Sequence, residues 1–308
     1  MPADHYAAID LGANSFHLVI MSPQGDNLAS VDAHREIVRL SNGIHPETRR
    51  LRPETRRRAL RCLSQFRQVL DRHQITGIRA VGTSAFRLLR HDAEFLQEAE
   101  TTLGVPIDIL TGEDEARLIY LGATWGLSQS ERLVVDIGGG STEIVLGSGQ
   151  DIALAASLDM GSASLSSAFF SAHRISQRDL NQAREHVRTA LRRHLHEPMT
   201  LGSQVSAVAS SGTAKSLSWV LRSLHLSNGD ITRQGLDRIE PVLWQVQNID
   251  QLSHVLNLNI RRTHVFPGGY VIMSEVFAWL DIDVMSLSTR ALREGIIVEL
   301  MQSRPPEP

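Results

Sequence analysis

Ala8-Ile9-Asp10-Leu11-Gly12-Ala13-Asn14-Ser15 and Val134-Val135-Asp136-Ile137-Gly138-Gly139-Gly140-Ser141 share the pattern Asp-x-Gly-x-x-Ser. Each copy follows a short apolar run and precedes an alternating one, Phe16 to Met21 and Thr142 to Leu146. That order reads as strand, tight glycine turn, strand. The same hairpin twice, half a chain apart, predicts an α/β protein of two related lobes, each with a mixed sheet flanked by helices, facing each other across a cleft that holds the active site.

Between the hairpins, Ala59, Leu60, Leu63, Phe66 and Leu70 fall at helical spacing with Pro53 suited to a first turn, which predicts a helix over 53–73. Ile78 to Val81 and Val105 to Leu110 read as short strands, whereas Ala93 to Leu103 and Glu113 to Thr124 carry helical patterns. After the second hairpin, Ser176-Gln177-Arg178-Asp179 resembles a capping box, and Leu180, Ala183, Val187, Leu191 and Leu195 follow down one face, predicting a helix to about Glu197. Val205 to Ala209 reads as a buried strand ending in Ser210-Ser211-Gly212-Thr213, and helices are expected at 214–226, 233–246, 269–280 and 290–301. The lobes are expected at 1–124 and 125–303, with the last helix able to pack back onto lobe one and 304–308 as a frayed tail.

The 308 residues carry a net charge of −3, with 42% hydrophobic and 21% charged, which suits a globular chain and excludes general disorder. No apolar run approaches the roughly 18 to 20 residues that cross a bilayer, and Met1 to Tyr6 lack a leader-like segment, so neither membrane association nor export is expected. One cysteine, Cys62, excludes an internal disulfide and a multi-thiolate metal site and suits a reducing compartment, the cytoplasm. The near-neutral balance gives no support for specific nucleic-acid binding. Arg49, Arg50, Arg52, Arg56, Arg57, Arg58 and Arg61 nevertheless form a dense cluster, which also reads as a solvated helix face. Among the 31 lysines and arginines Lys215 is the single lysine, which singles out that position for a compact ammonium. The 13 histidines show no pair at metal spacing on a helix face.

A glycine turn of this kind exposes backbone N–H groups, and a neighbouring hydroxyl completes a cradle for phosphate oxygens. It also sets a carboxylate beside the anion, so Asp10 and Asp136 imply an intervening hard cation such as Mg²⁺. Thr111-Gly112-Glu113-Asp114-Glu115 opens a helix with three acids, which macrodipole complementarity explains on its own; a carboxylate held there is also placed to take a proton from an attacking water. Glu143 shares a strand face with Ser141 and is a second candidate for water or metal. Ser211-Gly212-Thr213-Ala214-Lys215 stands where a strand meets a helix, so its amides and Lys215 are expected to face an anion, although no P-loop pattern is present. Gly82-Thr83-Ser84-Ala85-Phe86-Arg87 offers an arginine for a phosphoryl oxygen.

Taken together these motifs resemble the exopolyphosphatase and guanosine pentaphosphate phosphohydrolase family of the actin-like (ribonuclease H-like), sugar-kinase and Hsp70 superfamily. Glu-Ala-Arg-Leu-Ile at 115–119 and Asp-Ile-Gly-Gly-Gly-Ser-Thr-Glu at 136–143 are its specific segments. The resemblance implies Glu115 as the catalytic carboxylate, Asp136 as a ligand of Mg²⁺ or Mn²⁺ with Asp10 and Glu143 beside it, and Glu143 as a group that positions water. It further implies phosphate contacts from Asn14, Ser15, Arg87, Gly138, Gly139, Gly140, Ser141, Thr142, Gly212, Thr213 and Lys215. The implied chemistry is attack of water on the terminal phosphoryl group of inorganic polyphosphate, releasing orthophosphate. The alternatives are guanosine pentaphosphate 5′-phosphohydrolase, a regulator that binds polyphosphate or an alarmone with weak catalysis, and an ATP-dependent kinase or chaperone. A homodimer is implied as well. Relatives often read Ser-Asp-Gly-Ala-Leu-Arg-Glu-Gly where this chain has Ser288-Thr289-Arg290-Ala291-Leu292-Arg293-Glu294-Gly295. Longer relatives carry a helical C-terminal extension, so a preference for shorter polyphosphates or the nucleotide is expected here.

Overall fold

A computed structural model describes residues 4–25, 27–170, 174–202 and 204–303, so the expected tail at 304–308 lies outside the described residues. The chain forms two compact units: residues up to Leu127 together with those from Arg290 onward, and Ser128–Thr289.

In the first unit β1 (Tyr6–Leu11), β2 (Ser15–Gln24) and β3 (Asn27–Ile37) make an antiparallel meander. It is followed by α1 (Pro53–Leu70), β4 (Gly77–Gly82), α2 (Ser84–Leu89), α3 (Ala93–Leu103), β5 (Ile107–Ile109) and α4 (Gly112–Thr124). The sheet order is β3-β2-β1-β4-β5, with β1, β4 and β5 parallel. Pro53 occupies the first turn of α1, where its missing N–H is no loss, and Ala59, Leu63, Phe66 and Leu70 bury one face of that helix. Asp92 caps α3 by accepting from Phe95 N–H, and Gly104 ends it in the left-handed region at φ 72°. Phe16, Phe66, Phe86 and Phe95 join this core, each fully buried ring contributing about 1.5–3 kcal/mol.

The second unit contains β6 (Glu131–Ile137), β7 (Thr142–Ser148), β8 (Asp151–Leu158), α5 (Ser162–Phe169), α6 (Gln177–Leu195), β9 (Ser206–Ser210) and α7 (Ser211–Ser223). It continues through β10 (Ile231–Thr232), α8 (Arg233–Gln245), α9 (Leu252–Val255), α10 (Phe266–Trp279) and β11 (Val284–Leu287). Its sheet order is β10-β11-β9-β6-β7-β8, and β6, β9 and β11 run parallel. The capping box of α6 is present, with Ser176 and Asp179 exchanging bonds, and Leu180, Ala183, Val187, Leu191 and Leu195 are buried. The order antiparallel pair, central strand, parallel strands thus occurs twice.

The last helix, α11 (Leu292–Gln302), belongs to the first unit and packs on α4 and β1. A Cβ on Gly295 would collide with the Leu118 carbonyl oxygen, and one on Gly122 with that of Ala291, so the two backbones touch where they cross. No helix among the described residues is long and apolar enough to cross a membrane.

Candidate active site

In open α/β sheets, ligands bind beyond the carboxyl ends of the parallel strands. In the first unit Leu11, Gly82 and Ile109 are neighbours at that edge. The Gly12–Asn14 turn follows β1 there. Its Ala13 carbonyl accepts from Ser41 N–H (3.1 Å), and its Asn14 carbonyl from Val38 N–H (3.0 Å) and Arg39 N–H (2.7 Å). Because a trans peptide holds N–H opposite C=O, the Asn14 and Ser15 amides point away from the 38–41 loop. Ser15 Oγ lies 2.9 Å from His17 Nε2, and Arg293 of α11 donates to His17 Nδ1 at 3.3 Å. Accepting at Nδ1 puts the imidazole proton on Nε2, so His17 donates to Ser15 and leaves the serine's own proton for another acceptor. Asp10 stands opposite His17 across β1 and β2.

The three acids opening α4 separate in the structure. Thr111 Oγ1 accepts from Asp114 N–H (3.1 Å) and donates to the Asp114 carboxylate (2.7 Å), and Glu113 is exposed. Glu115 alone is buried, 5% exposed. Arg87 Nη1 donates to Glu115 Oε2 at 2.7 Å and to the Leu110 carbonyl at 3.2 Å, while Arg87 Nη2 is buried without a hydrogen-bond partner among the described residues. A guanidinium nitrogen held this way is ready for an anionic oxygen.

The second unit repeats the turn with a different support. The Gly138 carbonyl accepts from Ser162 N–H (2.8 Å) and Oγ (3.0 Å), and the Gly139 carbonyl from Ala163 N–H (3.0 Å) and Ser164 N–H (3.1 Å). The leading amides of α5 are taken up by the turn, and the Gly139 and Gly140 amides point away from that helix. Ser141 is buried beside them. Thr142 corrects the sequence reading: it is fully buried on the opposite strand face, and its hydroxyl donates to the Met160 carbonyl at 2.8 Å, so it does not join the group.

Asp136 and Glu143 are register partners on β6 and β7, which puts both carboxylates on one face with Cβ atoms about 4.5–5.5 Å apart. Both are buried. Ser210 Oγ donates to Asp136 at 2.5 Å and Ser157 Oγ to Glu143 at 3.0 Å. Two buried carboxylates at this spacing repel unless a cation lies with them. Among the described residues no cluster of three or more His, Cys, Asp or Glu is arranged to hold a metal by itself. Two oxygen-donor side chains, completed by substrate phosphates, are what Mg²⁺ takes, so the residues fit such an ion.

Ser211 opens α7 with φ 92°, a left-handed conformation that costs a residue with a Cβ about 1–3 kcal/mol. Its Oγ accepts from Thr213 N–H (3.1 Å) and Ala214 N–H (3.2 Å). Those two amides, expected to face an anion, are therefore capped by the Ser211 side chain. The Arg262 guanidinium lies where a Cβ on Gly212 would be. Thr213 is buried, and Lys215 is exposed with no ion pair among the described residues. His17, Ser157, Arg262 and Arg293 escaped the sequence reading. His17 was within reach, since it holds the place in the first hairpin that Glu143 holds in the second, whereas Arg262 lies in no motif.

The sequence is 35% identical over 300 residues to "Guanosine-5'-triphosphate,3'-diphosphate pyrophosphatase" of Aeromonas hydrophila, covering 96% of this chain and 59% of that protein. The chain thus spans under two thirds of that relative's length. Among solved structures, a Ppx/GppA family member from Aquifex aeolicus superposes with a TM-score of 0.83 at 23% identity, covering 99% of this chain and 100% of that one. An exopolyphosphatase from Cytophaga hutchinsonii does so with a TM-score of 0.83 at 20% identity, covering 98% and 99%. These structures share the fold of this chain, the actin-like arrangement of two mixed sheets flanked by helices. The profile of the Ppx/GppA phosphatase family matches residues 19–304, and the chain belongs to that family.

Proposed function

We propose that this protein is an exopolyphosphatase that hydrolyses the terminal phosphoanhydride of inorganic polyphosphate. The observation that carries the reading is the pairing of buried Glu115 with Arg87, whose second nitrogen is left for a phosphoryl oxygen. Glu115 accepts the proton of the attacking water as the new O–P bond forms, the bridging P–O bond breaks in line with its electron pair passing to the shortened polyphosphate, and the attacked phosphoryl is released as orthophosphate. Arg87 orients Glu115 and takes a phosphoryl oxygen. In the first unit the Asn14 and Ser15 amides and the Ser15 hydroxyl hold phosphate oxygens. In the second, the Gly139 and Gly140 amides and Ser141 do so, with Gly138 shaping the turn and Gly212, the Thr213 hydroxyl and Lys215 completing the anion contacts.

Asp136 and Glu143 would hold Mg²⁺ or Mn²⁺, with Asp10 the remaining carboxylate candidate; when bound, the ion supplies charge neutralisation of the phosphates. Glu143 also orders water. A cytoplasmic homodimer without a specific nucleic-acid partner belongs to the same proposal, its reducing compartment supported by the free, buried Cys62.

Guanosine pentaphosphate is the second reading, favoured by the name of the 35% identical relative. Phosphate release with Mg²⁺ from medium and long polyphosphate, guanosine pentaphosphate and ATP, beside Glu115→Gln, tests both. The expected result is release from polyphosphate that falls by about 10²- to 10⁴-fold in the variant with little change in KM. Near-normal turnover in Glu115→Gln would overturn the assignment. Release from the nucleotide alone would select the second reading.

A further inference from the structure

The arginines around the start of α1 play no part in the site described above. Between Arg49 and Arg61 the chain carries seven arginines against one acid, Glu54. Arg56 is taken up by Glu94 and Glu98 of α3, at 2.9 and 2.7 Å. Arg58 Nε donates to the Val38 carbonyl at 2.6 Å. Arg49, Arg50, Arg52, Arg57 and Arg61 are exposed, and so is Arg39. None of these six forms an ion pair among the described residues. Arg56 alone of this cluster has acid partners among the described residues, although the protein's net charge is −3.

The patch is joined by hydrogen bonds to the first glycine turn. Val38 and Arg39 donate their amides to the Asn14 carbonyl, Arg58 grips Val38, and Arg52 N–H donates to the Gly43 carbonyl at 2.8 Å in the segment whose Ser41 binds Ala13. Arg57 and Arg61 then continue along one face of α1, about 6 Å apart. The segment that bears these arginines therefore lies on the carbonyl side of the turn, opposite its Asn14 and Ser15 amides, and leads on into α1. A linear polyanion long enough to pass around the turn to that side meets a charged face with its remainder.

We propose that Arg39, Arg57 and Arg61, flanked by Arg52, form a track that holds the distal phosphates of a long polyphosphate chain. The inference rests on the exopolyphosphatase reading and, against the expectation of a preference for shorter polyphosphates, gives long chains an added hold. RNA, the other abundant linear polyanion, is disfavoured because single-strand sites add exposed aromatic rings for base stacking, whereas the only aromatic ring of Phe, Tyr or Trp between residues 38 and 73 is Phe66, 1% exposed.

The test is the triple exchange Arg39→Gln, Arg57→Gln, Arg61→Gln in the full chain. Binding of long-chain polyphosphate, tripolyphosphate and an oligouridylate is measured without divalent cation, beside KM for the two polyphosphates with Mg²⁺. Each exposed contact is worth about a two- to fivefold change, so the Kd for long chains should rise roughly tenfold or more. The slope of log Kd against log salt should fall by about two. The ratio of long-chain to tripolyphosphate KM should rise in parallel, while the melting temperature stays within about 2 °C of the parent, as exposed exchanges do. No change in long-chain binding, or an equal loss for both lengths, would overturn the track. A loss confined to the oligouridylate would overturn it by assigning the face to RNA. Absence of phosphate release from every polyphosphate would refute the proposed activity, and the binding arms would still decide the track.

Discussion

Gly295→Ala is the most demanding test of the first unit's architecture, because two physical effects of opposite sign act at that position. Within a helix, replacing glycine by alanine stabilises by about 1 kcal/mol through backbone entropy. Here the added methyl meets the Leu118 carbonyl oxygen, a backbone atom of α4 with no rotamer to move into. Relief requires α11 and α4 to separate, and overpacking of this kind costs about 1–3 kcal/mol or more. A contact this close puts the cost at the upper end, about 3 kcal/mol, so the balance is a loss of about 2 kcal/mol, which for a unit of this size lowers Tm by about 4–8 °C. Because α4 begins at Gly112 and carries Glu115 in its first turn, the same displacement should lower kcat more than KM. Circular dichroism melts and phosphate release on Gly295→Ala, with Gly122→Ala as the partner on the facing helix, measure both effects. A variant that melts at or above the parent would show that propensity alone governs the position and would refute the close crossing.

Lys215→Arg should raise KM for polyphosphate several-fold, about 1 kcal/mol, because a planar fork cannot replace a compact ammonium at a point contact; unchanged kinetics would remove the significance of the lone lysine. Burial, with the Glu36 carboxylate adding to it, pushes the Cys62 thiol up to about 12 from an ordinary 9.0. The neutral thiol therefore favours the folded state below about pH 9, a contribution lost as pH rises toward 12. At pH 8 a thiol reagent should modify Cys62 only on unfolding, and rapid stoichiometric labelling of native protein would contradict this.

The fold was legible where the pattern repeats or alternates. The two hairpins announced themselves by their shared spacing, and α1, α3 and α6 by apolar residues on one face. β3 was not, because its Asn27–Ile37 run is largely exposed and lacks an apolar alternation, so only the pairing with β2 defines it. At the site, the carboxylates were readable from residue type, but three adjacent acids at the start of α4 are equivalent until Thr111 takes Asp114 and Arg87 takes Glu115. Thr142 shows the converse. It stands between Ser141 and Glu143 in the motif, yet strand alternation turns it into the core.

The first unit is discontinuous, since α11 returns to it only after the whole of the second. During synthesis the segment Ser128–Thr289 emerges as one uninterrupted piece and can fold while α4 and β1 still lack their partner helix. Apolar surface on the nascent first unit must then wait for residues made much later, so chain termination or slow translation before Leu292 should leave a species with one finished half and one sticky half. Closing that long-range contact is expected to limit refolding, because it joins residues far apart in the chain.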